Sequence, residues 1–502
     1  MSDLFGKTFA ENKLISMSKL LLSTLTIMVL GPVCTYAAAQ YVNQSKAKVV
    51  FTFKGRVADV AGKGIAGVVV NDGHDFTTTD KKGNWKLVTD TTRSKFVSIS
   101  VPAAYCLPER DGLVCDFYVS VGRLVGDGRH DFKLVKRRRK SDEFHYIAIS
   151  DPQIANARDM SRWRSETVPE LRHMADSLGK TGDVVGVTLG DLVFDNMNIW
   201  DEYRRSVTGL GMTFFECIGN HDFDKRYKAL SNMPSGTPAW GEMIYNMYFG
   251  PTDYSFNIGK IHVVTMKNID YDGGKRFTER ITPAQIEWLR KDLSYVKKGT
   301  TVFLNMHAAA WNKVFPRGNI RNADRLKEVL DGYNVHVFSG HTHFYQNVVV
   351  NDRLFQHNIG AACGAWWGGW MNRCGAPNGY LVVDVNGNDV KWRYKATCRP
   401  FDFQMRLYGR GEFKSQPECV VANIWDFDTD CTVTWFQDGK NMGAMERFVD
   451  ADDKYAASVT HNKSVVPTGH LFRARPDAGP HTVKVVFTNR FGEKYSSSIT
   501  MH

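Results

Sequence analysis

The chain has 502 residues, 43% of them hydrophobic, with 64 Lys and Arg against 53 Asp and Glu for a formal charge of +11. That much apolar sequence excludes a disordered protein, and the length excludes one ordinary core, so about three domains are expected. The positive balance favours anionic partners such as phosphate esters, nucleic acid or anionic lipid.

Lys7, Lys13 and Lys19 precede an apolar run from Leu20 to Leu30, and Tyr36-Ala37-Ala38-Ala39-Gln40 offers small residues for cleavage. Residues 1–39 therefore read as a secretory signal peptide, starting at Met1 or Met17, which implies a periplasmic or secreted protein. The run is too short for a stop-transfer helix, so no transmembrane span is expected in the mature chain. Cys34 follows Gly31-Pro32-Val33, a poor setting for lipid attachment. Without it the nine cysteines become eight in a disulfide-permitting compartment. Cys106 with Cys115 and Cys363 with Cys374 are plausible local pairs, and Cys217 reads as a buried thiol. The pairing of Cys398, Cys419 and Cys431 stays open.

Residues 47–136 alternate apolar and polar positions between Gly and Asp turns, as in Val49-Val50-Phe51-Thr52-Phe53 and Gly67-Val68-Val69-Val70, which predicts a small β-sandwich. Its Gly55-Arg56-Val57, Thr79-Asp80 and Gly83-Asn84-Trp85 resemble the carboxypeptidase-regulatory-like modules of secreted bacterial proteins. Lys136-Arg137-Arg138-Arg139-Lys140 begins a basic linker over 137–142. No aromatic residue interleaves its charges, so it reads as a solvated hinge and no specific nucleic-acid binding is expected.

From residue 143 the rhythm becomes strand-like runs alternating with helical stretches. Phe144 to Ile149, Asp183 to Leu189, Met212 to Ile218, Thr301 to Asn305 and Val335 to Phe338 read as strands. Leu171, Met174 and Leu178 keep helical spacing, as do Ile286, Leu289 and Leu293 after Thr282-Pro283, and Leu326 to Leu330. This predicts an α/β layered domain over 143–398 with mixed sheets, completed by strands near 348–350, 379–385 and 389–394. Beyond 399, Thr432-Val433-Thr434-Trp435 before Asp438-Gly439-Lys440, and His481 to Phe487 before Asn489-Arg490-Phe491-Gly492, predict hairpins of a C-terminal β-domain.

Several of the core runs end in a polar knot: Ser150-Asp151-Pro152-Gln153, Gly190-Asp191 with Asp195, Gly219-Asn220-His221-Asp222, His307, and Gly340-His341-Thr342-His343. Ligands gather at the carboxyl ends of strands in such sheets. Carboxylates, amides and imidazoles converging there suit two adjacent metal ions, with His341 and His343 at i and i+2 pointing to one side of an extended strand end. Each knot alone is an ordinary turn or core histidine, but together they reverse that balance.

These motifs, in this order, resemble the calcineurin-like metallophosphoesterase superfamily, and the flanking β-domains resemble those of its bacterial secreted members. The resemblance implies a four-layer αββα core. It implies one cation held by Asp151, Gln153, Asp191 and His343 and a second by Asp191, Asn220, His307 and His341, the metals being Mn, Fe, Zn or Mg. A hydroxide shared by the metals would attack phosphorus in line, and His221 would protonate or stabilise the leaving alkoxide. Where the family commonly has histidine, this chain has Gln153, a harder and weaker ligand that favours Mn²⁺, Mg²⁺ or Ca²⁺ over Zn²⁺. Either Asp195 or Asp222 orients His221.

Gly364-Ala365-Trp366-Trp367-Gly368-Gly369-Trp370 predicts a loop, with Trp366 or Trp367 stacking on substrate or wedging between domains, and Trp240 and Tyr245 lining the same cleft. The expected protein is a monomeric phosphomonoesterase acting on a phosphorylated small molecule, glycan or protein. Phosphodiesterase action on nucleotide or lipid headgroup esters is one alternative. A non-catalytic surface or glycan-binding protein is the other.

Overall fold

The computed structural model describes residues 48–138, 142–225, 241–458 and 465–501. The signal peptide, Cys34, Trp240 and part of the basic linker lie outside the described residues.

Two sheets face each other at the centre. The first has seven strands in the order Asp389–Ala396, Gly379–Asn386, Glu143–Ile149, Asp183–Leu189, Thr213–Cys217, Leu113–Val114 and Glu109–Arg110. The second has six, in the order Tyr254–Ile258, Ile261–Thr265, Thr301–Asn305, Asn334–Ser339, Leu354–Asn358 and Gln346–Asn351. The central strands of both run parallel.

The apolar runs are continuous because both faces of these strands are covered. In Glu143–Ile149, Tyr146 and Ala148 point at the other sheet, whereas Ile147 and Ile149 pack under helices. Tyr146 sets its ring against Phe303 and Phe338 and donates its hydroxyl to Asn305 Oδ1 at 2.7 Å. On the outer face of the first sheet lie the helices Val168–Leu178 and Trp200–Val207, burying Leu171, Trp200 and Tyr203. The second sheet is covered by Pro283–Ser294, whose Thr282 and Gln285 form a capping box, and by Ala323–Leu330. The layers are therefore αββα, and each parallel strand ends at the same edge.

The N-terminal region forms two small sheets, Asn84–Asp90 with Val50–Asp59 and Arg129–Leu134, and Phe76–Thr78 with Val69–Asn71, Phe96–Ser100 and Tyr118–Ser120. It is not purely a sandwich. It lends Glu109–Arg110 and Leu113–Val114 to the edge of the seven-stranded sheet and carries a helix, Val121–Asp127, capped by Ser120 and Gly128. The C-terminal region stacks two four-stranded sheets, and both anticipated hairpins are present, Thr432–Gln437 with Lys440–Ala444 and Thr482–Thr488 with Lys494–Thr500. Among the described residues no helix is long and apolar enough to cross a membrane.

The anticipated disulfides are absent among the described residues, where the eight cysteines are thiols. Cys363 and Cys374 are engaged separately. The Cys363 Sγ lies 3.7 Å from His343 Nδ1, and the Cys374 Sγ accepts from the Tyr345 amide at 3.2 Å. Cys217 is buried, as its strand-like setting implies.

A buried charge cluster ties the N-terminal sheets to the core. Glu242, 5% exposed, lies between Lys95 beside the Phe96–Ser100 strand and Lys267, whose Nζ is 2.8 Å away. Burial raises the Glu242 carboxyl, but the two ammonium groups outweigh it and hold it at about 2. Glu242→Ala removes the carboxylate that pairs with both cations and should lower stability by about 3–5 kcal/mol. Because the folded value is depressed, this contribution is complete above the ordinary glutamate range and lost as pH falls through it toward about 2. Denaturant melts across that acid window should show the wild-type and variant curves converging.

Candidate metal centre

Every polar knot reaches the shared edge of the two sheets. Asp151 follows Glu143–Ile149, Asp191 follows Asp183–Leu189, Asn220 follows Thr213–Cys217, His307 follows Thr301–Asn305, and His341 follows Asn334–Ser339. Asp151, Gln153, Asp191, Asp195, His341 and His343 all have positive φ, from 44° to 70°, a region that non-glycine residues rarely adopt. The backbone is bent there to turn side chains inward. Gly340 is glycine because a Cβ would overlap the Ser150 hydroxyl and the Asp151 carboxylate.

The electrostatics follow from which ring nitrogens are already committed. His307 Nδ1 donates to the Leu189 carbonyl at 2.7 Å, so in the neutral ring Nε2 carries the lone pair. That lone pair faces only further acceptors: Asn220 Oδ1 at 3.0 Å, His341 Nδ1 at 3.1 Å and Asp191 Oδ1 at 3.3 Å. Asp191, His307 and His341 place one ligand atom each within 4.8 Å of one another. His343 Nδ1 likewise donates to the Gly364 carbonyl at 2.6 Å and leaves Nε2 3.5 Å from Asp151 Oδ1. His343 Nε2, Asp151 Oδ1 and Gln153 Oε1 are all buried with no hydrogen-bond partner. Leaving such groups unsatisfied costs roughly 1–3 kcal/mol each.

These donors fit two cations. One cation would be held by Asp151, Gln153, Asp191 and His343 and the other by Asp191, Asn220, His307 and His341, with Asp191 common to both; it accepts from Gln153 Nε2 on one oxygen and from the His221 amide on the other. The same crowding perturbs the proton equilibria. Burial raises Asp191, but His307, His221 and His341 together hold it well below the carboxylate range. Burial lowers His307, and the Asp191 carboxylate outweighs it, pushing the imidazole up to about 9.

Of the two carboxylates considered for His221, Asp195 is the one that meets it, accepting from Nδ1 at 2.9 Å. Asp222 instead accepts from the amides of Gly219 and Val193, and burial together with Asp191 raises its carboxyl well above the usual range. It braces the loop and is not a partner of His221. Phe194 stacks on the His221 ring with centroids 4.0 Å apart.

The aromatic loop divides its labour. Trp367 is buried and donates Nε1 to the Pro152 carbonyl, with the Arg162 guanidinium over its ring, so it packs within the core and does not wedge between domains. Trp366 lies over His343 with centroids 4.7 Å apart. Tyr245 is not in the cleft. It is fully buried, donating to the Glu216 carbonyl.

Two residues here carry no signal in the sequence. Lys225 reaches the Asn220 carbonyl and lies 3.6 Å from Asp195 Oδ1. Glu279 contacts His341, and that hydrogen bond holds its carboxyl below its ordinary value.

Comparison with known proteins decides the family. The model described as calcineurin-like phosphoesterase matches residues 144–345, its N-terminal companion 51–137 and its C-terminal companion 356–495, together most of the chain. The chain belongs to the calcineurin-like phosphoesterases. Among the relatives of this phosphoesterase is purple acid phosphatase 15 of Arabidopsis thaliana, 26% identical over 212 residues, 38% of this chain and 33% of the relative. The chain thus spans about a third of the length of that curated relative. Similar solved structures include a dimetal phosphatase from Danio rerio, with TM-score 0.36 and 12% identity, covering 50% of this chain and 96% of that one. Purple acid phosphatase PPD1 from yellow lupin gives TM-score 0.37 and 12% identity over 66% of this chain and 67% of its own.

The raised His307 value makes metal uptake by this phosphoesterase a proton exchange. Below about 9 the free ring holds a proton that a cation must displace, so affinity for Mn²⁺ should climb with pH and level off above that value. Calorimetric titration in buffers of different ionisation enthalpy would read the released protons. An affinity flat from neutral pH to 9 would contradict the assignment.

Proposed function

We propose that this chain is a binuclear-metal phosphomonoesterase, exported to the periplasm or beyond, acting on a phosphorylated small molecule, glycan or protein. The observation that carries this reading is the meeting of Asp191, His307 and His341 within 4.8 Å, together with the buried unpartnered atoms of Asp151, Gln153 and His343 and a histidine held by a carboxylate. When bound, two divalent cations would withdraw charge from the phosphoryl oxygens and provide a nucleophilic water at neutral pH.

The chain's own groups supply positioning and the proton. Asp195 engages the Nδ1–H of His221 and Phe194 fixes the ring plane, so that the imidazolium, protonated on both nitrogens, would present its Nε2–H to the departing alkoxide and end as the neutral ring. The phosphatase name of the Arabidopsis relative supports the monoester choice, and the leader read at 1–39 supports export.

The test is turnover of p-nitrophenyl phosphate against bis(p-nitrophenyl) phosphate by metal-stripped protein restored with Mn²⁺. Monoester turnover should exceed diester turnover, and His221→Ala should lower kcat by about 10²–10⁴-fold. Faster diester turnover would overturn the monoester assignment. No hydrolysis of either ester would overturn the enzyme reading itself.

A further inference from the structure

Each histidine of the centre is pinned through its outer nitrogen so that the inner one carries the lone pair. For His307 and His343 the pin is main chain, the carbonyls of Leu189 and Gly364. For His341 it is a side chain. His341 Nε2 lies 3.3 Å from Glu279 Oε1, while its Nδ1 faces His307 Nε2 at 3.1 Å in the group shared with Asp191.

We propose that Glu279 is the positioning residue of the second cation site: its carboxylate takes the Nε2–H of His341 and so presents the Nδ1 lone pair to the ion. This rests on the reading that the centre holds two cations.

The surrounding structure is built to hold that contact. Glu279 ends the strand Arg276–Glu279, which forms a hairpin with Ile269–Gly273, and its carbonyl accepts from the Arg321 amide at 2.9 Å. Phe277 of the same strand sets its ring edge-on to His341, centroids 6.0 Å apart. On another side Gly318 passes so close that an added Cβ would lie 3.0 Å from His341 Cδ2. The hairpin and the loop thus confine the ring, and Glu279 selects its tautomer.

A carboxylate acceptor does more than a carbonyl. It makes the imidazole a stronger donor to the metal, and losing such an outer partner typically costs 10–100-fold in metal affinity. It also adds negative charge directly beside His341, a ligand of the second site.

The test measures Mn²⁺ stoichiometry and affinity by equilibrium dialysis with metal analysis on the full chain, Glu279→Ala and Glu279→Gln, with thermal melts to confirm folding. The wild type should bind two ions. Glu279→Ala should weaken one of them by about 10–100-fold and leave the other unchanged. Glu279→Gln keeps an acceptor oxygen without the charge and should fall between. Wild-type affinity at both sites in both variants would overturn the proposal alone. A wild-type chain that takes up no cation would overturn the two-cation reading and this proposal with it. If the alanine variant fails to fold, the glutamine variant decides on the same criterion.

Discussion

Lone pairs turned toward one another in a buried space are the constraint on which the rest of this protein depends. His307 Nε2 meets Asn220 Oδ1, Asp191 Oδ1 and His341 Nδ1 within 3.3 Å, and Asp151, Gln153 and His343 each bury an atom without a hydrogen-bond partner. Water could satisfy such groups at a surface. Buried, they favour positive charge, and the Asp191 carboxylate accordingly outweighs burial and pushes the His307 imidazole up to about 9.

Much of the architecture works to keep that arrangement from relaxing. Positive φ at Asp151, Gln153, Asp191, His341 and His343 costs of order 1–3 kcal/mol per residue and persists only where the surroundings fix it. Here the surroundings are two mixed sheets with parallel central strands, whose buried faces interlock through Tyr146, Phe303 and Phe338. The Trp367 bond to the Pro152 carbonyl and the close approach of Gly340 to Ser150 fasten the strand ends together. The accessory β-regions join this frame through contacts such as Glu242 with Lys95, so they are continuous with the core and not loosely tethered to it.

The centre was legible because its residues obey a local rule: each sits just past an apolar run, and parallel strands place such positions along one edge. The β-rich ends were legible for a similar reason, alternation between turn residues. What the sequence hid was tertiary. Glu279 belongs to a short strand with no ligand spacing, and it meets His341 only because the 269–279 hairpin folds back across the edge. Leu113–Val114 is too short to announce itself as part of the core sheet. Asp195 lies 26 residues before His221 and Asp222 directly after it, and only the fold shows that the distant carboxylate meets the ring while Asp222 is spent on backbone amides. The expected disulfides rested on spacing alone, and Cys363 and Cys374 take different neighbours in the fold.

The most direct test of the central claim is anomalous diffraction from crystals grown with Mn²⁺. The account predicts two peaks, one among Asp151, Gln153, Asp191 and His343 and one among Asp191, Asn220, His307 and His341, with Asp191 touching both. Peaks elsewhere, or a centre free of anomalous signal with the lone pairs bridged by water alone, would contradict it.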